Sequence, residues 1–258
     1  MLDIKITNSV ACITLNRPEK RNALTVAIVA QIGRALKEVD ESDEVSAIIL
    51  TGVDPAFCAG FDLHGIATED PIPQRDRQEY GEVENIRGLL PNHVTPIIGA
   101  INGAAVTGGL ELALGCDFLI ASERARFADT HARVGLMPGG GITIRLPERI
   151  GISRARQMSF TGDFIDAPTA LSWGLVNEVV PHEDLLARAQ SLGESIASIP
   201  RKNVREIRSM YAEMGEISGS EAYATELRLA RSWMAQQFDA KRLEKEAANI
   251  IDRGSAQQ

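Results

Sequence analysis

The chain has 258 residues, 44% apolar and 24% charged, which is the make-up of a globular protein long enough to bury a sizeable core. Its 27 basic and 35 acidic residues leave a formal charge of −8, which argues against a polyanion-binding surface and against nucleic acid as a partner. Three scattered cysteines (Cys12, Cys58, Cys116) include no C-x-x-C pair and fit neither a disulfide framework nor a zinc site.

The opening MLDIKITNSV carries Asp3 and no apolar signal-peptide core, so the expected compartment is the cytoplasm. Strands are predicted at Ile4–Thr7, Val10–Leu15, Ala47–Thr51, Pro96–Ile101, Phe118–Ala121 and Val176–Val180. Most are short, continuous apolar runs, as strands covered on both faces are. Between the second and third, apolar residues recur at Ile28, Ile32, Ala35, Leu36 and Val39, the stripe of a helix that Thr25 can cap. Residues 94–116, VTPIIGAINGAAVTGGLELALGC, are long enough to imitate a membrane span. Five glycines, a proline, Asn102 and Glu111 identify them instead as a buried strand, a glycine turn and a helix start, so no membrane is expected as a partner. Strands alternating with helices predict an α/β fold. After Ile199 the strand signals stop. Helices are predicted over 200–214, 219–237 and 238–253, broken at Pro200 and at Ser218-Gly219, which divides the chain into a core (1–199) and a helical region (200–258).

The chemistry concentrates in TGGLELALGCDF, residues 107–118. Asn102-Gly103 ends a strand, and Gly108-Gly109 opens a helix running to about Leu114. Glycine lets a backbone approach a ligand closely, and the first N–H groups of a helix lack internal partners and sit at its positive end. Glu111 lies on that first turn among apolar residues, where a carboxylate is costly to bury. An acid–base group beside an anion-stabilising N–H suits proton transfer alpha to a carbonyl. A first-turn glutamate can equally do no more than cap its helix. From this segment alone both readings stand. A phosphate-cradling loop is excluded, because neither G-x-x-x-x-G-K-[ST] nor G-x-G-x-x-G occurs there.

Three more stretches shift the balance: NRPEKRNAL (16–24), AFCAGFDL (56–63) and FADTHARVGLMPGGG (127–141). With NGAAVTGGLELALGCD (102–117), they resemble the enoyl-CoA hydratase/isomerase (crotonase) superfamily over about residues 4–190. That resemblance implies a spiral of β-β-α units followed by a helical C-terminal region that forms homotrimers, often paired into homohexamers. It implies an acyl-CoA thioester as ligand, with no metal and no separate cofactor, since coenzyme A belongs to the substrate. The backbone N–H groups of Phe61 and Gly108 match the oxyanion hole. Arg17, Lys20 and Arg21 match a segment near the CoA pantetheine and phosphates, where cations suit. Ala23, Leu24, Ala59, Gly60, Asp62 and Leu63 match backbone and apolar contacts to CoA, while His64 stands where many hydratases carry lysine.

Glu111 matches the first catalytic glutamate of two-glutamate hydratases, and His131 occupies the position of the second. The favoured reading is therefore hydration of a trans-2-enoyl-CoA by Glu111 with His131, whose imidazole titrates near neutrality. Double-bond isomerisation by Glu111 alone, another crotonase-type acyl-CoA reaction, and a non-catalytic acyl-CoA-binding protein are the alternatives. Acyl-chain selection is assigned to the Ile66–Leu90 stretch, and oligomer contacts to Leu227, Leu229, Trp233, Met234 and Phe238. Asp117 is read as a structural hydrogen-bonding residue. His93 and His182 are read as surface residues, with His182 opening a helix.

Overall fold

The computed structural model describes residues 1–63, 88–237 and 240–241. β1 (Leu2–Thr7) and β2 (Val10–Leu15) form an antiparallel hairpin. From β2 the sheet continues in parallel through β3 (Ala47–Gly52), β5 (Ile97–Ile101), β7 (Phe118–Ser122) and β10 (Glu178–Val180). A second sheet orders the short strands β4 (Ala56–Cys58), β6 (Ala104–Val106), β8 (Arg126–Ala128) and β9 (Ile165–Asp166). Three times in succession the chain lays one strand in the first sheet and the next in the second: β3 then β4, β5 then β6, β7 then β8. Each pair advances one place in both sheets, and helices α2 (Gly108–Leu114) and α3 (His131–Val134) follow the second and third pairs. This is the expected spiral of β-β-α units.

Strand periodicity sorts the core. Ile48 and Leu50 of β3 face the cluster that holds Ile28, Ile32 and Leu36 of α1 (Val26–Glu41). Ile49 faces the opposite cluster with Ile98, Ile120 and Leu185 and Ala189 of α7 (Leu185–Ala197). Burial on both faces explains the unbroken apolar runs, and each fully buried Ile or Leu contributes about 1.5–3 kcal/mol. Thr25 caps α1 as expected, its hydroxyl accepting from the Ile28 N–H at 3.3 Å. The strands of the second sheet have only two or three residues each, too few to show a period, and escape sequence reading.

Between α3 and α7 lie α4 (Ile142–Ile150), α5 (Ile152–Thr161) and α6 (Ala167–Trp173). The chain then runs into one long helix, α8 (Arg201–Gln237). The predicted break at Ser218-Gly219 is absent, since a glycine costs only about 1 kcal/mol inside a helix rich in good helix formers. Pro200 does mark the boundary. Among the described residues no helix is long and apolar enough to cross a membrane, and the 94–116 stretch divides into β5, β6 and α2.

The start of α8 is tied to the core by charge. Asp40 accepts from the Val94 and Thr95 N–H groups at 3.1 and 2.7 Å, and Arg205 reaches the Asp40 carbonyl and the Thr95 hydroxyl, both at 2.7 Å. Burial pushes the Asp40 carboxyl up, but the Thr95 and Val94 hydrogen bonds and Arg205 outweigh it and hold it below its ordinary range. Asp117 makes the expected structural bonds, to the Ile97 N–H at 2.8 Å and to Arg208 at 3.0 Å. The two histidines read as surface residues are corrected. His93 bonds the Pro91 carbonyl at 2.8 Å and meets Arg208, and burial, with Arg208 adding to it, lowers its pKa. His182 does open a helical turn, yet its ring bridges Ser122 and Asp54 at 2.9 Å each and so joins β7 to the turn after β3.

Candidate active site

The NRPEKRNAL and AFCAGFDL segments meet through a parallel bridge between Leu24 and Phe61. The Leu24 N–H donates to the Gly60 carbonyl at 2.7 Å, and the Leu24 carbonyl accepts from the Asp62 N–H at 2.8 Å. In a parallel bridge the residue between those two partners directs its own N–H to the other side. Phe61 is that residue. Among the described residues its N–H donates to no protein acceptor, and neither does the N–H of Gly108.

These two amides lie together. A Cβ built on Gly108 would sit 3.5 Å from the Phe61 nitrogen, and one built on Gly60 would sit 3.4 Å from the Gly108 nitrogen. Gly60 has φ +93°, open to glycine alone at low cost, and Gly108 carries no side chain that would strike the Phe61 ring at 2.8 Å. The second glycine of the pair has a different task. A Cβ on Gly109 would lie 2.0 Å from the Cys58 carbonyl oxygen, so glycine lets α2 seat against β4. Thr107, just before them, holds the strained pair φ 53°, ψ −110°. It is pinned by its N–H to the Ala128 carbonyl at 2.9 Å and by its hydroxyl to Thr130 at 2.5 Å. The turn that aims the Gly108 N–H is therefore tied to the residue preceding His131.

Every residue of α2 is buried, and Glu111 is only 3% exposed. Its Oε1 accepts from the Gly140 N–H at 2.9 Å. A Cβ on Gly140 would strike Oε2 at 2.6 Å, which gives the PGGG turn its reason. Gly140 is a site residue that sequence reasoning missed, although three adjacent glycines signalled it. His131 opens α3 and is buried, with Nδ1 2.7 Å from Asp129 Oδ1. Cys58 adjoins the site but is no nucleophile, because burial pushes its thiol up to about 12.

The family model for enoyl-CoA hydratase/isomerase matches residues 5–247. The chain belongs to the enoyl-CoA hydratase/isomerase family. A probable peroxisomal enoyl-CoA hydratase of Arabidopsis thaliana is 36% identical over 208 residues, covering 80% of this chain and 76% of that one. The crystal structure of an enoyl-CoA hydratase from Mycobacterium smegmatis is 45% identical with a TM-score of 0.79, over 90% of this chain and 97% of that one. That of an enoyl-CoA hydratase from Mycobacterium tuberculosis H37Rv is 44% identical with a TM-score of 0.82, over 91% and 99%.

Within this enoyl-CoA hydratase/isomerase frame, the residues matched to CoA divide. Ala59, Gly60, Phe61, Asp62 and Leu63 form the loop beside the paired amides, with Leu24 locked to it through both backbone groups. The side chains of Ala23 and Leu24 are in the core. Arg17 works inward: its guanidinium bonds Asp62 at 2.9 Å and the Ala23 carbonyl at 3.2 Å. Lys20 and Arg21 are exposed. Asn22, unread in the sequence, is 1% exposed and clamps the segment, donating to the Val53 and Ala56 carbonyls at 2.7 Å and accepting from the Arg17 N–H at 2.9 Å. His64 and the 66–87 part of the chain-length stretch lie outside the described residues.

Replacing Gly108 with valine pushes a side chain into the Phe61 ring and over the Phe61 N–H. Steady-state kinetics on an enoyl-CoA should show kcat/KM reduced by about 10²-fold or more, with the circular dichroism spectrum unchanged. A valine variant with wild-type kcat and KM would show that no thioester oxygen binds between the two amides.

Proposed function

We propose that the protein is an enoyl-CoA hydratase, adding water reversibly across the C2–C3 double bond of a 2-enoyl-CoA thioester. The closeness of the Phe61 and Gly108 N–H groups, with the buried Glu111 on the helix that Gly108 opens, carries this reading. The water oxygen bonds to C3 as one of its protons passes to a base. The C2–C3 π pair moves toward the thioester oxygen, where two N–H donors hold the enolate, each worth about 10²–10³ in rate. A proton then reaches C2 and the thioester carbonyl re-forms. Glu111 and His131 carry these protons, one taking and the other giving. The reaction is redox-neutral and needs no cofactor beyond the CoA of the substrate. Isomerisation by Glu111 alone is the second reading, favoured by histidine rather than glutamate at position 131.

The same reading assigns the site to residues 1–199 and assembly, as a homotrimer or homohexamer, to residues 200–258. Met234 does not supply that surface, because it is buried in its own chain, and Leu227 packs beside Gly139. The side chains of Leu229 and Trp233, and Phe238, lie outside the described residues. Instead Ile207, Met210 and Tyr211, spaced on one helix face, stand 55–78% exposed. We place the protein in the cytoplasm, a reading supported by its three free thiols.

Glu111→Gln keeps the shape of the side chain and removes its proton transfer, so kcat should fall by about 10²–10⁴. Product analysis over a panel of 2-enoyl-CoA esters should give 3-hydroxyacyl-CoA from the wild type. Shifted alkenes would favour the isomerase, and no turnover would favour a binder. Light scattering at micromolar concentration should give a mass of three or six chains. A monomer would remove the proposed role of α8.

A further inference from the structure

Asp129 has no part in the reaction as described, yet among the described residues it is one of the most deeply buried charged groups, 2% exposed. Its Oδ1 meets His131 Nδ1 at 2.7 Å and also accepts the His131 backbone N–H at 3.2 Å. The pair sits where β8 turns into α3, with Thr130 between its members bonded to the Thr107 that precedes Gly108. We propose that Asp129 is a positioning residue for the reaction, fixing the His131 tautomer with its proton on Nδ1 and forming with it a two-residue acid–base unit. This rests on the hydratase reading above.

Geometry and charge both lead there. Burial pushes the Asp129 carboxyl up, but hydrogen bonds from His131 and Ser159 outweigh it and hold the carboxyl below its ordinary range. An ionised carboxylate only accepts, so Nδ1 must be the donor. The basic lone pair of the neutral ring is then on Nε2. With neutral imidazole the pair carries −1, and with imidazolium it carries 0. Those are the two charges of a single carboxyl group that loses and gains one proton. A histidine alone would alternate between 0 and +1. The added positive charge would favour the ionised form of Glu111 and hinder its return of a proton. Asp129 thus lets an imidazole work with the two charge states of a carboxyl.

The test combines ¹⁵N NMR of the histidine-labelled protein with kinetics, the His131 signals being assigned by His131→Gln. In its neutral form, wild-type His131 should show Nδ1 protonated and Nε2 without a proton. In Asp129→Asn the amide can donate to Nδ1, so the Nε2–H tautomer should appear. Its kcat should fall by roughly 10²–10⁴ while KM and the melting temperature stay close to wild type. Adding Asp129→Asn to His131→Ala should cost no further rate. A bare Nδ1 in the wild type overturns the proposal by itself, whether or not Asp129→Asn folds. So does an Asp129→Asn enzyme whose kcat stays within a few-fold of wild type. A wild type that hydrates no enoyl-CoA would instead sink the hydratase reading, and the tautomer measurement would still decide the role of Asp129.

Discussion

The single backbone bridge between Leu24 and Phe61 is the contact on which the site depends. It commits the Gly60 carbonyl and the Asp62 N–H to one side of the loop and so turns the Phe61 N–H to the other. Around it stands a support that makes no use of a ligand. Arg17 ties Asp62 to Ala23, and Asn22, itself buried, fastens the same segment to the turn before β4 and to the first residue of β4. Such bonds contribute about 1 kcal/mol each, but leaving a buried partner unmade costs about 1–3 kcal/mol, so the arrangement resists slipping. The second amide, on Gly108, is aimed by the strained Thr107, which the β8–α3 turn holds in place. Donors fixed in this way would need no reorganisation as charge developed on a bound thioester oxygen, the role we propose for them.

Burial sets the chemistry of the rest. Glu111 lies within a helix whose every residue is buried, and the Gly140 N–H gives its carboxyl a fixed orientation. His131 is likewise oriented by Asp129. Glu111 and His131, the two proton carriers we propose, are each held by a neighbour, and the Thr107–Thr130 hydrogen bond pins the backbone between them. Proton transfer depends on such geometry before it depends on pKa.

Much of this was legible in the sequence because it rests on residues with few other uses. Gly108-Gly109, the isolated Glu111 and the periodic stripe of α1 each announced themselves, and the long buried strands read as continuous apolar runs. The second sheet did not, because strands of two or three residues carry no period. Arg17 shows a subtler limit: a cation beside a presumed phosphate site reads as a ligand contact, while its actual partner, Asp62, lies 45 residues away. Asn22 and Asp129 were opaque for the same reason, since hydrogen-bond partners depend on the fold. At Ser218-Gly219 local propensity favoured a break, and the surrounding helix overrode it.

Two backbone amides that polarise a thioester oxygen are what we propose at this site. Isotope-edited infrared spectroscopy reads that polarisation directly, using an enoyl-CoA labelled with ¹³C at the thioester carbonyl and bound to Glu111→Gln so that turnover is slow. Two donors on one oxygen weaken the C=O bond, so the labelled band should move to lower frequency on binding, and the shift should shrink when Gly108→Val is added. A bound thioester whose carbonyl band keeps its solution frequency would show that the Phe61 and Gly108 amides do not polarise it.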